Sequence, residues 1–131
     1  MPEKIKVLSL APLHTPQTVE IDNTLQALQQ AVGGNIEVIR PWGWEENAAI
    51  IADEDGKLKN YPPNRMLGDN DLLVGTFLVC GVDEDEFCSL TQEQIQKYEE
   101  MYHYPEVFLP ATQGGVLVFK AGSDEKPRHV R

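Results

Sequence analysis

Two tryptophans around a glycine in "PWGWEE", and an arginine behind two prolines in "PPNRM", are the side chains of this chain best suited to hold a ligand. Trp42 and Trp44 offer rings for stacking on a base or enclosing a cation, beside Glu45 and Glu46. The bland reading is that both rings cover a sheet edge or an opening of the core. Asn64 and Arg65 follow a rigid Pro-Pro entry, and a planar guanidinium there suits an anion or a partner carboxylate. Its bland counterpart is an arginine that ties loops together.

Other chemistry fails on spacing. Cys80 and Cys88 form no disulfide framework and match no common metal spacing, and Cys80 ends an apolar run, where a thiol is inert. His14, His103 and His129 are scattered, so no zinc site and no metal is expected. "DEDG", "DND" and "DEDE" resemble the starts of calcium loops. The fifth loop position, which must supply an oxygen ligand, falls on Lys57, Leu73 or Phe87, none of which has a side-chain oxygen. No spacing selects a carboxylate pair for hydrolysis, and we expect no catalytic residue and no cofactor. The pair Gly33-Gly34 invites a phosphate-cradle reading, but a cradle needs amides at the start of a helix. These glycines stand at the end of one and read as its left-handed cap.

Charge points elsewhere. Eleven basic against 21 acidic residues give a net charge of -10, which disfavours direct contact with nucleic acid phosphates. Between Gly81 and Glu106 eight carboxylates face the single Lys97. Asp83, Glu84, Asp85, Glu86 and Glu93 are therefore the expected partner-binding residues, toward a basic surface. The bland alternative is a solvated face that maintains solubility.

The elements that must position these residues follow from periodicity. At 131 residues with a 41% hydrophobic fraction the chain fits one domain with its own core. "KIKVLSL" predicts a first strand with one buried face. "NTLQALQQAV" predicts a helix capped by Asn23, with Gln26 as box partner and Leu25, Leu28 and Val32 on its buried stripe. "NIEVIR" resumes a strand period, and "AAIIADEDGKLKNY" reads as a strand and return strand around Asp53 to Gly56. "PPNRMLGDND" reads as irregular, with the prolines excluding a central strand. "LLVGTFLVC", apolar on both faces, predicts one interior strand in which Gly75 admits a close neighbour or a bulge. Thr91, with Gln94 as box partner, opens a second helix along Ile95, Tyr98 and Tyr102, stopped by Pro105. "GGVLVFK" suits a last strand, and residues 122–131 read as a polar, loose tail.

The expectation is a single α+β domain over residues 1–121: a central mixed or antiparallel sheet of about five strands with two helices packed on it. The N-terminal "VLSLAPL" lacks the length and cleavage site of a signal peptide, and no run approaches a membrane span, so a cytoplasmic protein is expected.

The stretches "VEIDNTLQALQQAVGGNIEVI", "DEDGKLKNYPPNR", "GDNDLLVGTFLV" and "SLTQEQIQKY" together resemble the domain of unknown function 3846 family of phages, plasmids and other bacterial mobile elements. They cover most of residues 19–98. The resemblance carries no catalytic residue. It implies an accessory protein of the host bacterial cytosol that binds a host component, such as a defence protein, without enzymatic turnover. The alternative is a module that sequesters a nucleotide or other anionic ligand through Trp42, Trp44, Asn64 and Arg65. A small hydrolase is a third reading.

Overall fold

A computed structural model describes residues 4–43, 45–69 and 71–130. The strands are β1 (Lys4–Leu10), β2 (Gln17–Asp22), β3 (Ile36–Ile39), β4 (Ala48–Asp53), β5 (Pro63–Leu67), β6 (Asp71–Val74), β7 (Phe77–Asp83), β8 (Glu86–Cys88), β9 (Glu106–Pro110), β10 (Val116–Lys120) and β11 (Arg128–Val130). The helices are α1 (Leu25–Val32) and α2 (Gln92–Met101). The main sheet runs β2-β1-β7-β4-β3, with β8 added against the end of β7, and every strand pair is antiparallel. A five-to-six-stranded main sheet with two helices is as expected. Two smaller sheets, β5-β6 and β11-β10-β9, make the chain more strand-rich than the sequence suggested.

The central strands of the main sheet are buried on both faces. Leu8, Leu10, Ala48, Ile50, Phe77 and Val79 pack with Ile95 and Tyr98 of α2 and with Tyr102, its C-cap. Ile5, Val7, Ile51, Leu78 and Cys80 pack with Leu28 and Val32 of α1. Strands β4 and β7 are accordingly apolar at nearly every position, since each alternate residue meets a different helix. For β1 this corrects the one-faced expectation: from Val7 onward both faces are covered.

Other local expectations divide. Helix α2 has the full capping box, with the Thr91 hydroxyl accepting from the Gln94 N–H and the Gln94 side chain accepting from the Thr91 N–H. Helix α1 is capped by Thr24 rather than Asn23, whose amide instead donates to the Phe87 carbonyl. Leu25 stays 58% exposed, so the buried stripe of α1 consists of Leu28 and Val32. Gly33 caps α1 with φ 101, the left-handed geometry assigned to the glycine pair.

The turn at Asp53 to Gly56 forms, but no return strand follows it. Strand β4 finds its partners in β3 and β7, where longer registers outcompete a local hairpin. "PPNRML" is not irregular: Pro63–Leu67 pairs with β6 as a hairpin outside the main sheet, which the prolines permit. "LLVGTFLVC" is two strands. It breaks at Gly75, whose φ of 70 and close approach to the Tyr61 ring leave no room for a side chain. The tail is not loose either: β11 pairs with β10, His129 bonds the Gly114 carbonyl and Arg128 reaches Asp69.

Candidate functional site

The acidic residues gather at one end of the main sheet. Strand β7 ends at Asp83 and β8 starts at Glu86, directly opposite it, so Glu84 and Asp85 form a two-residue hairpin turn. Such turns need positive φ and favour asparagine and glycine. Here Glu84 takes φ 56. Asp83 through Glu86 are all exposed. Glu93 lies in the first turn of α2, where the helix dipole favours a carboxylate, and it lines one shallow cleft with Asp83, Ser89 and Gln94. Glu84 and Asp85 border a second cleft with Val38, Arg40 and Phe87. Among the described residues none of these five carboxylates enters an ion pair. The acidic surface stops short of Glu106, which is buried and accepts a 2.9 Å hydrogen bond from the Met66 N–H.

The expected ligand group does not assemble. Asn64 and Arg65 are both fully buried. The Arg65 guanidinium donates to the carbonyls of His14 and Tyr102 at 2.8 Å and to the Asn64 side-chain oxygen at 2.8 Å. Asn64 in turn donates to the carbonyls of Leu10 and Gly75. The hairpin, the loop after β1 and the end of α2 are thereby joined. Burial lowers the Arg65 pKa, opposed by the nearby Glu106 carboxylate. With its fork committed to carbonyls and no exposed surface, the pair takes the loop-tying role and presents nothing to an external anion. Trp42 is half-buried, its ring 4.5 Å from that of Tyr98, covering an opening of the core. Trp44 lies outside the described residues.

Around that opening the Tyr98 hydroxyl donates to Glu46 Oε1 at 2.7 Å, and Lys97 reaches the same oxygen at 3.1 Å. The Tyr98 hydrogen bond first, then that of Lys97, holds the Glu46 carboxyl below its ordinary value. The thiols are poor nucleophiles: burial pushes Cys80 up to about 12 and also raises Cys88. Among the described residues no group of three or more His, Cys, Asp or Glu could hold a metal ion, and no helix is long and apolar enough to cross a membrane.

Two arrangements escaped the sequence reading. At the end of α1, Lys59 bonds Asp53 at 2.8 Å and the Gly33 carbonyl at 3.1 Å, with Tyr61 over the same carbonyl. A β-carbon on Gly34 would stand 2.5 Å from Lys59 Nζ and 2.8 Å from Asp53 Oδ2, so the second glycine makes room for this latch. The other arrangement is a cleft of about 600 Å³ between the β5-β6 hairpin, the end of α2 and the C-terminal sheet. Trp42, Met66, Met101 and Phe119 line it together with Glu106, and its cations are Lys120, Lys126 and Arg128. The only hint in the sequence was the alternation of "VLVFK", which needs partner strands; Glu106–Pro110 and "RHV" supply them.

These features define a strand-rich antiparallel domain with one helix on each face of its main sheet and an acidic hairpin at one end. The chain belongs to the family described as Domain of unknown function (DUF3846), whose model matches residues 5–103. No curated protein and no solved structure matches it.

Proposed function

We propose that this is a non-enzymatic α+β binding protein of the cytoplasm that docks on a basic protein surface through Asp83, Glu84, Asp85, Glu86 and Glu93. The observation that carries the reading is the β7–β8 turn. Asp83 and Glu86 are cross-strand partners, and like charges in that relation destabilise a hairpin. Glu84 adds a left-handed backbone that a side chain adopts only at a cost. A tip that breaks two local rules at once, with no compensating ion pair among the described residues, fits a surface kept for a partner. The resemblance to mobile-element proteins suggests a host component, such as a defence protein, as that partner.

The test is capture from bacterial lysate followed by association kinetics. The on-rate should fall steeply with added salt, and reversing Asp83 through Glu86 to lysine should lower it by about tenfold or more. A captured partner whose on-rate ignores both salt and charge reversal would sink the proposal.

A further inference from the structure

The cleft at the opposite end of α2 is distinct from the acidic hairpin, and its chemistry is different. In a chain of net charge -10, three cations stand together here, sharing the lining with the carboxylates Asp69, Glu106 and Glu125. Two are weakly engaged. Lys120 meets Glu125 at 3.6 Å and Arg128 meets Asp69 at 3.4 Å, with those carboxylates 64% and 87% exposed. Lys126 is exposed and enters no ion pair among the described residues. Loose, solvated pairs of this kind give way readily to a phosphate, which offers more acceptor oxygens at higher charge.

The remaining walls suit a flat ring. Trp42, Met66, Met101 and Phe119 are left partly open along them. Trp42 is held in place by its contact with Tyr98, so little order is lost when something packs beside it. Glu106 adds a fixed acceptor. Its residue is 9% exposed, and one oxygen is anchored by the Met66 N–H. A buried carboxylate repels an anionic group and accepts from an N–H edge, so it favours a ligand whose phosphate is turned away from Glu106. The volume falls within the ~300–1,000 Å³ usual for small-molecule sites.

We propose that this cleft binds a nucleoside monophosphate or an equivalent phosphorylated heterocycle, with the ring on the Trp42, Met66 and Met101 walls and the phosphate on Lys126 and Arg128. All three cations and Glu106 lie beyond residue 103, outside the stretch that the family model matches. The polar recognition thus comes from the C-terminal sheet, and the apolar walls come largely from the matched domain.

Calorimetric titration of the full chain with AMP, GMP, CMP and UMP, with the four corresponding nucleosides and inorganic phosphate as controls, tests this. At least one monophosphate should bind saturably at millimolar concentration or below, and its nucleoside and phosphate alone should each bind about tenfold more weakly or worse. Lys126→Glu and Met101→Glu, both at exposed positions, should each weaken binding by about tenfold, with an unchanged unfolding midpoint showing that the fold is intact. Reversal of Asp83 through Glu86 should leave it unaltered. Absence of saturable binding for all four monophosphates, or binding indifferent to both substitutions, would overturn the assignment.

Discussion

Asp53 and Lys59 are six residues apart, and their side chains meet at 2.8 Å over the C-terminal carbonyl of α1. Burial raises the Asp53 pKa, but the hydrogen bonds from Lys59, the Asp55 N–H and Tyr61 outweigh it, so the carboxyl lies below its ordinary value. A depressed carboxyl contributes stability above its unfolded pKa of about 3.9 and loses it as pH falls through the folded value. Asp53→Asn should therefore unfold at lower urea than the parent at neutral pH, by about 1 kcal/mol, and the gap should close below about pH 4. Urea titrations at several pH values read this directly. A gap that persists in acid would mean that the charge is not what the latch uses.

Arg65 braces three segments that are distant in the chain: β5, the loop after β1 and the end of α2. Its donors go to residues 51 and 37 positions away in the chain, at His14 and Tyr102. Lysine has the charge without the planar fork, so Arg65→Lys should leave buried carbonyls unpaired and cost about 2–4 kcal/mol in chemical denaturation. A cost under about 0.5 kcal/mol would place the bracing elsewhere.

The Tyr98 hydroxyl and Glu46 provide a second titration. Tyr98→Phe removes the largest influence lowering the Glu46 pKa, so the Glu46 carboxyl should titrate at higher pH in the variant by carbon-detected NMR. The linked stability, about 0.5–1.5 kcal/mol, is present above the ordinary carboxylate range and is lost as pH falls through the folded value. An unmoved Glu46 titration would show that Lys97 alone sets it.

The thiols should separate by access. Burial and a pKa of about 12 keep Cys80 protonated at neutral pH, while Cys88 is half-buried with a smaller upward shift. A disulfide reagent should modify Cys88 slowly in the native protein and Cys80 only on unfolding. Rapid reaction of Cys80 in the folded chain would reopen a nucleophilic reading.

What was legible in the sequence is local. The Thr91–Gln94 box, the Ile95, Tyr98 and Tyr102 stripe and the Gly33 cap each depend on residues within a turn or two, so their spacing alone specifies them. The exposed acidic run was likewise readable, because four consecutive charges have no buried alternative. What only the tertiary structure decided depends on residues far apart. Arg65 has the same composition around it whether it faces solvent or carbonyls, and distant loops close over it. The apolar run at Leu72–Cys80 divides because Tyr61 arrives against Gly75. The tail orders because β10 has an open edge that "RHV" can pair. The Lys126 cleft exists only once β9, β10 and β11 fold against the hairpin and α2. Short-range geometry is written in spacing, whereas burial and cavities are set by which segments meet, and no single segment encodes that.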